Sequence, residues 1–167
     1  MGCGDGRHLV HFAQLGYEMY GIDMSAWGIL RSQHLLSNNN SLAHLIVGDI
    51  QYLPYAPESF DAVISFHVIH HNFLSDILKT VRNVNRILCK GGVFFTTLLK
   101  FQPASGRFND ADEVEQRTYL PKVGKEAGLP HHLFTEEEAR SMFSPWRLLQ
   151  FDASDKGNFH ILAQKRL

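Results

Sequence analysis

The apolar positions change period several times along the chain, and each change marks an element. From Arg7 to Leu15 the residues Leu9, Val10, Phe12, Ala13 and Leu15 recur at helical spacing, with Gly16 placed as a C-terminal cap glycine. A short strand follows over Tyr17 to Ile22, ending at Asp23. Ser25 then suits the N-cap of a second helix running to Leu36, which the polar run 37–41 closes. His44 to Val47 reads as a buried strand ending at Gly48 and Asp49. Tyr52 to Ser59 carries prolines and reads as a loop, and Phe60 to Phe66 is a strand of β-branched and aromatic character.

A long amphipathic helix is predicted from Leu74 to Leu88, its apolar face traced by Ile77, Leu78, Val81, Val84 and Ile87, with Gly91 and Gly92 as its stop. Val93 to Leu99 is the most apolar strand and belongs in a sheet interior covered on both faces. Alternation of strand and helix predicts an α/β fold with a doubly wound, mostly parallel sheet. Residues 101–133 break the pattern: polar, spotted with glycine and aperiodic, they read as an irregular insert of the kind that is either functional or disordered. Thr135 and Glu138 fit a capping box for a short helix to Phe143. Two closing strands are expected over Trp146 to Asp152 and Phe159 to Gln164. Phe94, Phe95 and Phe151 read as core.

The 167-residue length favours one domain, residues 1–167, with the 101–133 insert as a lid over the substrate. With 16 basic and 17 acidic residues the chain has no positive field for a nucleic acid or an anionic membrane, so neither is an expected partner. Cys3 and Cys89 form no disulfide framework, no apolar run is long enough to span a bilayer, and the opening residues are not those of a signal peptide. These features read as a soluble cytoplasmic protein.

The chemistry begins at MGCGDGR. Gly2, Gly4 and Gly6 make a bend that feeds a helix N-terminus, where unpaired amides and the helix dipole attract anionic groups. Arg7 stands where a dinucleotide fingerprint needs a small residue, which disfavours a nicotinamide-linked reductase. Asp23, at the tip of the next strand, is placed to accept from ribose hydroxyls. Asp49, at the tip of the strand after that, can accept from an exocyclic amine while Ile50 covers a ring face. Together they describe a nucleoside pocket.

The blocks GCGDGR (2–7), GIDMS (21–25), GDIQYLP (48–54), FDAVIS (60–65) and RILCKGG (86–92) follow one another in an order that resembles the class I S-adenosylmethionine-dependent methyltransferases. The segment GLPHHLFTEEEARSMFSPWRLLQF also looks like the C-terminal part of a subgroup that includes tellurite-resistance-type methyltransferases. The resemblance implies S-adenosylmethionine as cofactor and a seven-stranded sheet whose last strand is antiparallel. It also implies an N-terminally truncated form of that fold, lacking the usual first helix and possibly the first strand, because the family's acidic residue two places before the first glycine has no counterpart. Gly2, Gly4 and Gly6, with Cys3 between them, would contact the methionine moiety and ribose. Asp23 and Met24 would lie at the ribose, Asp49 and Ile50 at the adenine, and Ser65 and Phe66 near the sulfonium. A small-molecule acceptor is expected; the alternative is a non-catalytic nucleoside-binding or scaffold protein.

Any proton on the acceptor needs a base, and FHVIHHN supplies His67, His70 and His71 just beyond the expected methyl position. Their spacing is also metal-like, but no Cys, Asp or Glu lies alongside them in the sequence, so no metal site is expected. His131 and His132 read as loop residues before the next helix.

Overall fold

The computed structural model describes residues 1–102 and 108–167; residues 103–107, within the predicted lid, lie outside the described residues. The chain divides into two compact units, Met1–Pro54 and Tyr55–Leu167.

In the first unit, α1 (Arg7–Gln14), β1 (Tyr20–Asp23), α2 (Ala26–Asn38) and β2 (His44–Val47) follow the predicted order. The strands are parallel, with Tyr20 opposite His44 and Asp23 opposite Val47. Ser25 caps α2 as expected, its hydroxyl accepting from the Gly28 amide at 3.1 Å. Leu9, Val10 and Leu36 form a core against which Cys3, Met19, Leu35, Ala43 and Leu45 pack. β2 corrects one expectation. Its apolar run suggested a buried strand, but among the described residues it pairs only with β1, and Val47 stays 54% exposed.

The second unit holds β3 (Phe60–Ser65), α3 (Leu74–Ile87), β4 (Leu88–Leu99), β5 (Ala111–Glu115), β6 (Thr118–Pro121), β7 (His131–His132), α4 (Glu136–Met142), β8 (Arg147–Ala153) and β9 (Asn158–Gln164). A four-stranded sheet has the order β3-β4-β9-β8. β3 and β4 are parallel, while β9 runs antiparallel to both β4 and β8. The last strand is therefore the antiparallel one. α3 lays Ile77, Val81, Val84 and Ile87 in the interior, and Phe94 of β4 meets Phe143 and Trp146 at ring separations of 6.1 and 6.0 Å.

Two further corrections concern this unit. Gly91 and Gly92 do not stop the helix; Leu88 already has extended backbone and starts β4. The glycines instead lie where the register jumps from the Phe60–Leu88 pair to the Ala62–Val93 pair. A Cβ on Gly92 would stand 2.9 Å from the Cys89 carbonyl and 3.0 Å from the Asp61 carbonyl of β3, so main chain on both sides favours glycine there.

The insert is not irregular either. β5, β6 and β7 form a small antiparallel sheet. Its β5–β6 turn places Arg117, not a glycine, in the left-handed region at φ 61°, and the Arg117 amide is held by the Glu113 carboxylate at 2.7 Å. Strands this short, joined by a turn without the usual turn residues, leave no periodic signature.

Candidate functional site

In the first unit the opening bend is built by three left-handed glycines, with φ 60° at Gly2, 53° at Gly4 and 87° at Gly6. Residues with a Cβ pay for that conformation and glycine does not. The bend is tied down from three sides. The Cys3 amide donates to the Ile22 carbonyl of β1 at 3.1 Å, and the Gly6 amide closes back onto the Cys3 carbonyl at 2.9 Å. Ser32 of α2 donates its hydroxyl to the Gly4 carbonyl at 2.9 Å. Gly6 then caps α1 without any side chain, so the first-turn amides of that helix have no side-chain cap. A Cβ on Gly6 would meet Ser32 Oγ at 2.8 Å, whereas one on Gly4 would meet nothing within 4 Å. One side of the bend is thus packed and the other open.

Asp23 is the hub of this unit. One carboxylate oxygen accepts from the Gly4 amide at 2.8 Å and the other from the Ser25 amide at 2.9 Å, fixing the glycine bend to the start of α2. A carboxylate offers about four lone-pair sites, so acceptor capacity remains for a ligand. Because β1 and β2 are parallel and the Gly48 amide donates to the Asp23 carbonyl at 2.9 Å, Asp49 leaves β2 at the same end that Asp23 closes on β1. The Asp49 carboxylate accepts from the Gln51 amide at 2.8 Å, Ile50 beside it is buried, and Met24 projects outward. Burial holds the Cys3 thiol above its usual pKa, partly opposed by its contact with Ser32.

In the second unit β3 ends in Ser65, whose hydroxyl is buried with no hydrogen-bond partner among the described residues. Phe66 is half exposed and stacks on Phe95 at a ring separation of 6.3 Å. His67 follows with φ 56°, an uncommon conformation for a residue other than glycine. Its amide is held by the Thr97 hydroxyl at 2.7 Å, and its ring remains exposed. His70 is different: burial, then the neighbouring His71 and His131, push its pKa well below the usual imidazole range, so it is neutral near pH 7. His71 packs edge-on against His70 at 4.4 Å and tilts over His131 at 4.5 Å.

His131 and His132 are not solvated loop residues; both are fully buried in β7. The His132 amide donates to the His70 carbonyl at 2.8 Å, which clasps the insert to the loop after β3. The His132 ring sits between the Thr118 hydroxyl at 2.7 Å and the Glu138 carboxylate at 3.2 Å, and Glu138 also binds Arg117 at 2.9 Å. Burial lowers the pKa of His132, against the pull of Glu138.

The methyltransferase-domain family profile matches residues 1–96, which include the glycine bend, both carboxylates and β3. The chain belongs to the class I S-adenosylmethionine-dependent methyltransferases. S-adenosylmethionine is the cofactor of this enzyme family. Over 127 residues the methyltransferase chain is 25% identical to the tRNA (carboxymethyluridine(34)-5-O)-methyltransferase of Schizosaccharomyces pombe, covering 75% of this chain and 51% of that protein. It spans about half the length of the curated relatives it matches.

Among solved structures, a SAM-dependent methyltransferase from Methanosarcina mazei superposes with a TM-score of 0.83 at 20% identity, over 99% of this chain and 90% of that one. The 1,6-didemethyltoxoflavin-N1-methyltransferase of Burkholderia thailandensis, with 1,6-didemethyltoxoflavin and S-adenosylhomocysteine bound, gives 0.78 at 15% identity over 99% and 69%. TehB from Haemophilus influenzae gives 0.74 at 18% over 99% and 56%. At these identities the likeness is one of fold.

Within this methyltransferase domain, several positioning residues had no motif to announce them. Ser32 is a serine on the buried face of α2, a polar residue where the helical period asks for an apolar one, and that anomaly was its only signal. Thr97, which holds His67, sits in the most apolar strand and carried the same signal. Glu126 and His131 reach the His70–His71 loop only through the fold of the insert. Among the described residues, no helix is long and apolar enough to cross a membrane.

Proposed function

We propose that the chain transfers the sulfonium methyl of S-adenosylmethionine to a small-molecule acceptor, the first unit holding the cofactor and the segment after β3 handling the acceptor. The observation that carries this reading is the bend itself: left-handed at Gly4, open on its outer face, and fixed by Asp23, with Asp49 at the same strand end. The residues fit the group. Gly2, Cys3, Gly4 and Gly6 offer backbone to the methionine moiety, the unused lone pairs of Asp23 suit the ribose hydroxyls beside Met24, and Asp49 with Ile50 suits adenine.

The cofactor supplies a methyl group already activated for in-line displacement. The chain's part is alignment, which at best supplies about 7–11 kcal/mol of the barrier through effective molarity. Ser65 and Phe66 are assigned to the sulfonium side. His67 is the residue assigned to take a proton from the acceptor, because its ring is exposed while its backbone is held by Thr97. Neutral, buried His70 is a weaker base and supports the loop. Strands β5 to β7 are assigned to substrate recognition, as the described part of the lid.

A formal charge of −1 favours a small acceptor over RNA, since a phosphate backbone is bound through a positive surface. The non-catalytic alternative is not favoured for a chain with the family's glycine bend and strand-end acid in place.

The test is calorimetric titration with S-adenosylhomocysteine and with its analogue lacking both ribose hydroxyls. Hydrogen bonds to a charged group contribute about 1.5–3 kcal/mol each, so the analogue should bind at least about tenfold more weakly. Equal affinities would overturn the ribose assignment of Asp23. Transfer of labelled methyl to a small-metabolite pool is the expected activity; label appearing only in RNA would overturn the acceptor class, and binding without transfer to any pool would leave the scaffold reading.

A further inference from the structure

The second unit brings His71, Glu126 and His131 together although they are distant in sequence, and one donor atom from each lies within 4.8 Å of the others. The hydrogen-bond logic at His131 is what makes this more than proximity. Its Nδ1 lies 2.7 Å from the Leu129 carbonyl oxygen, which can only accept, so Nδ1 carries the hydrogen. Its Nε2 therefore presents a lone pair, and 3.1 Å away stands Oε2 of Glu126, which when ionised is also an acceptor. Two acceptors aimed at one place, at the edge of a fully buried ring, need a hydrogen or a metal ion between them.

We propose that His71, Glu126 and His131 form a binding site for a divalent first-row transition ion of the zinc type. Two imidazoles and one carboxylate are borderline ligands that suit such ions, whereas calcium and magnesium take oxygen sets. Ligands about 2.0–2.1 Å from a tetrahedral zinc ion stand about 3.3 Å apart, close to the Glu126–His131 separation already present. The Leu129 carbonyl does for His131 what outer partners do for metal-binding histidines: it fixes the tautomer and the ring orientation. Glu126 is half exposed and gives the ion a way in. Three protein ligands leave a position open for water or an acceptor heteroatom. The ion would join the insert to the loop after β3, across the junction that the His132–His70 backbone bond already makes.

This proposal does not depend on methyl transfer and is tested without cofactor. The full chain, stripped with chelator and dialysed, is titrated with zinc alone in competition with a chromophoric chelator, and with cobalt followed by visible absorption. One ion per chain and strong four-coordinate cobalt bands are expected. Glu126→Gln, at an exposed position where folding is not at stake, should weaken zinc binding by at least about tenfold. His71→Ala should do the same, with circular dichroism reporting that the chain is folded. Lack of stoichiometric binding would overturn the proposal. Wild-type zinc affinity in both variants would overturn it equally, by assigning the ion to other histidines.

Discussion

Gly4 and Gly6 stand two residues apart in the same bend, both in the left-handed region, yet alanine at each should fail for different reasons. At Gly6 the added methyl would stand 2.8 Å from Ser32 Oγ and 3.0 Å from Ser32 Cα, with φ at 87°. The backbone term is about 1–2 kcal/mol. Overpacking against α2 adds about 1–3 kcal/mol, because the second contact is main chain and cannot rotate away. Gly6→Ala should therefore lose about 2–5 kcal/mol, a large share of the stability of about 5–15 kcal/mol typical of domains.

At Gly4 the methyl would meet no atom of the described residues within 4 Å, so only the backbone term of about 1–2 kcal/mol applies. If that open space belongs to the cofactor, Gly4→Ala should stay folded and bind S-adenosylhomocysteine at least about tenfold more weakly, or about 1.4 kcal/mol. Urea unfolding and calorimetric titration on both variants give the two numbers. Wild-type affinity in Gly4→Ala would refute the cofactor assignment of the open face, and equal stability of the two variants would refute the packing argument.

Two other predictions concern the residue just after Phe66 and the glycine bend. His67→Gly should change stability by less than about 1 kcal/mol, since relief of the left-handed backbone offsets the lost ring contacts, and should be more stable than His67→Ala, while methyl transfer falls by about 10²–10⁴ in both; an alanine variant more stable than the glycine one by thermal unfolding would count against the strain. Burial disfavours the thiolate of Cys3, so at any given pH its thiolate fraction is below that of an ordinary thiol and its alkylation by iodoacetamide should set in at higher pH than in the urea-unfolded chain. Mass spectrometry of the modified peptide reads this, and equal rates near neutral pH would refute it.

What the sequence made legible was whatever rests on local rules. α1 and α3 have periodic apolar faces and α2 has its N-cap serine, and the observed bounds of all three lie within two residues of the predicted ones. The glycine bend and its two strand-end carboxylates were legible because backbone conformation and strand direction are both written in nearby residues. What escaped depended on distant partners. β2 has the composition of a buried strand, and only its pairing shows that among the described residues it joins β1 alone. Strands β5 to β7 are too short to show a period. His131 and His132 looked like surface residues because nothing local says that β7 is covered, or that Thr118 and Glu138 wait on either side of one ring. The first signs of the His71–Glu126–His131 cluster likewise lie in no local spacing.

The position of β9 bears on how the second unit comes into being. It is the last of its sheet's four strands to be made, yet it lies between β4 and β8. While residues 100–157 are being synthesised, β4 therefore holds one edge ready for a neighbour that does not yet exist. An open apolar edge is where stray chains attach. Birth of this half of the molecule is thus a waiting game, and the nascent chain has most need of a chaperone in the interval before Asn158–Gln164 slides into the slot.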